Sequence, residues 1–198
     1  DLFNPDDNGQ MFNKAAHFMA STVLIRIMEV GLMAGILLHI VQGYMLTLQN
    51  QKARSTGYAV DMGNKGSKWY SRSMAILGTL LLMFLVMHIY HFWTPSRLGG
   101  MGNIKALDTF VLNGVEYHNL YGEMQLIFEN PLVVILYVLA CGSLAYHLAH
   151  GFQSAFKTIG VHNKKYHAML TSIGYGFAIF IPLLFALMPI SFYFDWIK

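Results

Sequence analysis

Four runs of this chain are long and apolar enough to cross a lipid bilayer, and a chain that carries them has few folds open to it. Spanning the hydrocarbon takes about 20 mostly apolar residues as helix, because backbone polar groups find no water there and must bond to one another. The runs lie at about 24–48, 73–94, 131–156 and 167–190. They predict an all-α transmembrane helix bundle, with four membrane-spanning helices in a single domain over residues 1–198. Composition agrees: 55% of residues are hydrophobic and 12% charged, against roughly 45 to 50% and about 25% in ordinary globular chains. The net charge of +3 comes from scattered residues, which argues against nucleic acid as a partner. The lone Cys141 sits in an apolar run and reads as a small packing residue.

The connections give orientation. The first, "QNQKARSTGYAVDMGNKGSKWYSR", is polar with glycines, and the second starts at Pro95 and passes Gly99, Gly100 and Gly102, so both read as loops outside the hydrocarbon. Pro182 and Pro189 fall in the last run and are expected to kink or end its final turns. Lys52, Arg54, Lys65, Lys68 and Arg72 flank the first connection and Lys157, Lys164 and Lys165 the third, eight of the thirteen lysines and arginines. The positive-inside rule makes that side cytoplasmic, with Trp93 and Trp196 near the interfaces.

Nine histidines occur. His17, His118 and His162 fall in presumed loops and His167 at a helix start, where a solvated or capping side chain is the ordinary reading. His39, His88, His91, His147 and His150 lie at membrane depth, where an ionisable group is costly unless it meets a partner, a cavity or a cofactor. His39 precedes Gln49 by ten residues and His147 precedes Lys157 by ten, so the two lie at similar depth. His88 lies sixteen residues beyond Arg72 on a helix running the other way, which puts it about 9 Å nearer the outer surface at a rise of about 1.5 Å per residue.

The faces around these histidines narrow their chemistry. Gly31, Gly35, His39 and Gly43 recur every four residues, and Ala140, Ser143, His147, Gly151 and Ser154 make a second smooth strip. Small residues at this spacing also let helices pack closely. Joined to histidines of equal depth, they point to a flat macrocycle: a haem iron takes two axial imidazoles, and the ring needs small neighbours to lie flush. His88, flanked by Phe84 and Leu85, ranks above His91, and His147 above His150; His91 and His150 read as polar residues satisfied within the bundle.

Three segments, "LLHIVQGYMLTLQNQKAR", "FLVMHIYHFW" and "YHLAHGFQSAFKTIG", carry a resemblance. They look like the second, third and fourth helices of the di-haem cytochrome b subunit of succinate:quinone oxidoreductase and fumarate reductase, especially the type found in Bacteroidetes. The family has five helices and holds two b haems, with one ligand from each of its first four helices. The resemblance implies that His39 and His147 ligate the inner haem and that His88 is one ligand of the outer haem. The other outer ligand would lie on a first helix absent here, and the opening "DLFNPDD" resembles the stretch that follows that helix. Gly35, Gly43, Gly151 and Ser154 would border haem, with Trp69, Ser154 and Lys157 supplying donors to its propionates.

The resemblance further implies cytoplasmic flavoprotein and iron–sulfur subunits as partners, menaquinone as the membrane substrate and a bacterial inner membrane as the site. Near the outer haem, His17 and Glu29 are the candidates for a protonatable group at the quinone. A competing function is a desaturase-like enzyme with a di-metal site, suggested by the pairs His88 with His91 and His147 with His150. Such a site gathers many ligands at one membrane face, whereas these pairs lie on antiparallel helices at unequal depth.

Overall fold

A computed structural model describes residues 7–53, 65, 68–161 and 164–196, so Arg54 and His162 lie outside the described residues. Four helical spans are long and apolar enough to cross a membrane: Val23–Lys52, Met74–Leu98, Pro131–Thr158 and Lys165–Tyr193. The chain is therefore an all-α, multi-pass membrane protein. In chain order its elements are α1 (Gln10–Ser21), α2 (Val23–Lys52), α3 (Trp69–Arg72), α4 (Met74–His88), a π-helical turn Ile89–Trp93, α5 (Thr94–Leu98), β1 (Thr109–Leu112), β2 (Val115–His118), α6 (Leu120–Phe128), α7 (Pro131–Thr158) and α8 (Lys164–Tyr193).

Two boundaries differ from expectation, both at prolines. The second span does not stop before Pro95 but continues to Leu98. A proline ring collides with the carbonyl four residues earlier, and the wider turn over Ile89–Trp93, just before Pro95, relieves that collision. Likewise α8 runs through both Pro182 and Pro189 and ends only after Tyr193, so neither proline terminates it. Helix α2 is strongly apolar without a distinct polar face and has no buried residue, as suits a helix whose solvent is hydrocarbon.

The chain divides into two compact units. The first comprises residues 1–35, 84–138 and 187–198. Its core joins Tyr121, Met124 and Phe128 of α6, Val134 and Tyr137 of α7, and Phe192 of α8. Around Tyr137 the rings of Phe84, Phe92 and Phe128 stand edge-on, with centroids 5.0, 6.4 and 5.1 Å away, the arrangement that aromatic quadrupoles favour.

The second connection, expected as a loop, holds a β-hairpin and a helix. Strands β1 and β2 pair antiparallel from Thr109↔His118 to Leu112↔Val115. Asn113 and Gly114 form the turn with φ of 51° and 76°; two successive positive φ angles are what a tight hairpin of this kind requires. His17, expected in a loop, instead lies on α1, and His118 ends β2.

One buried amide ties α1 to this region. Asn13 is 2% exposed; its Oδ1 accepts from the Tyr121 backbone N–H at 2.9 Å and its Nδ2 donates to Asn119 Oδ1 at 3.0 Å. Asn119 Oδ1 also accepts from Gly122 N at 3.0 Å, capping α6. At the start of α1, Gly9 has φ 74°, and a Cβ there would strike the Tyr121 ring, so glycine is the residue that fits both demands.

The second unit comprises residues 36–83 and 139–186. Here α4 and α7 approach closely: Ser143 Oγ donates to the Leu77 carbonyl at 3.0 Å, and Leu77, Ala140, Cys141 and Ser143 are all buried. Part of the small-residue strip on α7, Ala140 and Ser143, therefore serves helix packing. Cys141 is free and buried, in line with a packing role. Helices α2 and α4 are linked by the hydroxyls of Tyr44 and Thr79, 2.7 Å apart.

Candidate functional site

In the second unit the structure brings His39 of α2 and His147 of α7 together, with ring centroids 6.0 Å apart and planes at 80°. Metal–imidazole bonds run about 2.0 to 2.1 Å and a ring nitrogen sits about 1.1 Å from its ring centre, so two imidazoles on opposite sides of one metal would have centres about 6.3 Å apart. The observed separation is close to that. His147 Nδ1 is buried without a hydrogen-bond partner, an arrangement that costs free energy unless something absent from the chain completes it. Gly78 packs beside this ring: a Cβ there would make an ordinary contact, 3.7 Å from His147 Cε1.

The smooth strips also leave room. A Cβ built on Gly35, Gly43 or Gly151 would meet nothing within 4 Å, so the glycines beside the two histidines border open space. An imidazole pair at this separation, an unpartnered buried nitrogen and glycines facing open space together fit a flat bis-imidazole-ligated group. His150, one turn from His147, is half-buried.

Polar side chains gather toward one end of this unit. Lys68 Nζ donates to Tyr175 OH at 3.1 Å, and the hydroxyls of Tyr70 and Tyr175 are 3.1 Å apart. The bonds to Tyr175 and Tyr70 hold the Lys68 ammonium above its ordinary pKa, while burial pushes the Tyr70 phenol up. Trp69 lies against Tyr146, with ring centroids 4.8 Å apart. Lys157 and Ser154 lie on α7, with Lys157 exposed and beside Gln153, Phe156 and His167 at a narrow cleft. Sequence reasoning named Trp69, Ser154 and Lys157 but missed the Lys68, Tyr70 and Tyr175 cluster; tyrosines on separate helices carry no local signal.

In the first unit His88 and His91 part company. His91 Nδ1 bonds the Tyr137 hydroxyl at 3.0 Å, and the two rings stack at 10° with centroids 6.0 Å apart. His91 is thus a satisfied polar residue between helices. His88 lines a cavity of about 290 Å³ together with His17, Trp93, Ser96, Arg97 and His118, the rest of the wall being alanine, methionine, phenylalanine and leucine. Of the two histidines near the end of the second span, His88 is the one on this wall.

Glu29 is held fast. Trp93 Nε1 donates to its Oε1 at 2.6 Å, Arg97 Nη2 to its Oε2 at 2.9 Å and Arg26 Nη1 to Oε2 at 3.0 Å. Its carboxylate is turned to charged and indole donors that balance it within the span.

Among the described residues no three His, Cys, Asp or Glu side chains converge as metal ligands, so the many-ligand cluster of a di-metal enzyme is not found there. Comparison with protein-family models, with curated protein sequences and with solved structures finds no match for this chain.

Proposed function

We propose that this chain is the membrane-anchor cytochrome b subunit of a succinate dehydrogenase or fumarate reductase, carrying electrons between a cytoplasmic iron–sulfur subunit and membrane quinone. The observation that carries the reading is the facing pair His39 and His147, 6.0 Å apart between ring centroids at membrane depth. Haem b, when bound, would supply one-electron transfer at an iron held by protein imidazoles.

The chain's own residues would do the rest. His39 and His147 would hold the iron from α2 and α7, and Gly43 and Gly151 leave the backbone beside them smooth, with open space where a side chain would stand. Lys68, Tyr70 and Trp69, with Lys157 and Ser154, are donors suited to propionate carboxylates at the polar edge of the bilayer. His88 is the outer ligand from this chain, with His91 engaged by Tyr137. The lysine- and arginine-rich connections face the cytoplasm of a bacterial inner membrane, where a flavoprotein subunit performs the succinate or fumarate chemistry, and menaquinone is the electron partner in the membrane.

A reduced-minus-oxidised visible spectrum of the purified complex should show low-spin b-type bands. His39→Ala and His147→Ala should each remove the inner haem, whereas His150→Ala should keep it. A wild-type complex without b-type bands, or one whose bands survive His147→Ala unchanged, would sink the proposal.

A further inference from the structure

Helix α1 carries its apolar side outward. At about 100° per residue, Phe18, Met11, Ala15 and Met19 form one arc of its circumference, and Asn13, His17 and Gln10 lie opposite. A helix on a water-facing surface turns its apolar residues to the core and its polar residues out. Here the order is reversed. Asn13 is 2% exposed, held by Asn119 and the Tyr121 N–H, and the His17 ring lies against Tyr117 with centroids 4.9 Å apart. Met11 and Phe18 are 59% and 60% exposed, and Ala15 and Met19 are exposed beside them. Lys14 is exposed at the border of that arc, about 40° from Phe18.

The joint to the first span fixes where this face lies. Thr22 alone separates α1 from α2. Its N–H and Oγ1 both donate to the Phe18 carbonyl, at 3.1 and 2.7 Å, and its own carbonyl accepts from Arg26 N at 3.0 Å, so the joint is held from both sides. Its φ of −77° and ψ of 122° break the helical path, so α1 does not prolong the axis of α2. Two residues of chain reach at most about 7 Å, and the headgroup layer on one side of a bilayer is about 5 to 7 Å deep. Ser21, the last residue of α1, therefore lies in that layer where Val23 starts the span. Helix α2 has no buried residue, so the apolar arc of α1 continues a lipid-facing surface along the chain.

We propose that α1 is an interfacial anchor whose arc of Met11, Ala15, Phe18 and Met19 lies in the headgroup–acyl boundary of the leaflet at which α2 enters, with Lys14 reaching the lipid phosphates. The occupant of this face is phospholipid. On its other side the contacts of Asn13 and His17 tie α1 to α6 and β2, so α1 is the link between that leaflet and the second connection. Nothing in this inference needs a bound cofactor, and it stands or falls apart from the haem reading.

The test places a nitroxide label at single cysteines in a Cys141→Ala background, with the purified full-length protein in nanodiscs of phosphatidylethanolamine and phosphatidylglycerol. Met11→Cys, Ala15→Cys, Phe18→Cys and Met19→Cys all fall at exposed sites, and Leu32→Cys, exposed on α2, is the lipid reference. Circular dichroism matching the unsubstituted protein shows that each labelled variant is folded. Power-saturation electron paramagnetic resonance then compares collisions with oxygen, which concentrates in lipid, and with a water-soluble nickel chelate. Oxygen should dominate at all four labels, as at the reference, with a depth of about 5 to 10 Å into the boundary. Dominance of the nickel chelate at positions 11 and 18 would put the face in water, and low access to both reagents would mean that a protein covers it; either result overturns the proposal. The readout is the same whether or not the preparation shows b-type bands, so loss of the haem reading leaves this one to be judged by itself.

Discussion

Replacing Asn13 with alanine isolates the amide relay that seats α1. In the native structure the Tyr121 backbone N–H has Asn13 Oδ1 as its acceptor at 2.9 Å, and Asn13 is 2% exposed. Alanine would leave that buried donor without a partner, an effect of about 1 to 3 kcal/mol, and would also remove the bond to Asn119 Oδ1 at 3.0 Å. Asn119 would still cap Gly122, so α6 keeps its own first turn. The combined loss should be about 2 to 3 kcal/mol, which at about 1.4 kcal/mol per tenfold means opening roughly 25- to 140-fold more frequent. Amide hydrogen exchange followed by mass spectrometry, comparing peptides over residues 10–21 and 120–128, reads that opening directly. Exchange should quicken in both segments and remain as in wild type in α8. Equal protection of residues 120–128 in wild type and variant would refute the relay as the tie between α1 and α6.

Tyr137→Phe should lower the thermal midpoint by leaving His91 Nδ1 without the hydroxyl it now meets at 3.0 Å, a loss of about 1 to 2 kcal/mol; an unchanged midpoint would show the bond to be unimportant. Gly174→Ala should destabilise the second unit by about 1 to 3 kcal/mol, because the new Cβ would lie 2.6 Å from the Phe152 ring. Gly176→Ala, with nothing within 4 Å, should leave the midpoint unchanged or raise it slightly; similar losses in both would contradict the packing argument. Gly43→Leu also meets open space and should leave the secondary structure unchanged by circular dichroism while reducing haem content in the pyridine haemochrome assay. Full haem content in that variant would speak against a macrocycle lying on this strip.

The four spans were legible because length and uniform apolarity decide a membrane helix without tertiary information. The pairing of His39 with His147 was legible too, since equal counts to the polar edge translate directly into equal depth. What escaped was the structure of the second connection and the partners that residues inside the spans find far away in sequence. The hairpin had a local signal, Asn113–Gly114 between two β-prone stretches, "TFVL" and "VEYH", which goes unread when the span-to-span segment is treated as one loop. The partners of Glu29 and His91 had no such signal: Trp93, Arg97 and Tyr137 lie 64, 68 and 46 residues away in sequence. The continuation of the second span past Pro95 depended on a widened turn that no residue type announces.

The distance along the chain between Asn13 and Asn119 also orders events during synthesis. They are 106 residues apart, and a ribosome adding about 5 to 20 residues per second needs roughly 5 to 20 s to cover that interval. Through that time α1 exists without its acceptors; Met11, Phe18 and Met19 stay exposed even in the folded chain, and the membrane surface is the place where such an amphipathic helix rests. Helix α1 is thus seated only after residues made much later, and the wall that carries His17 is completed only after two later spans have been threaded.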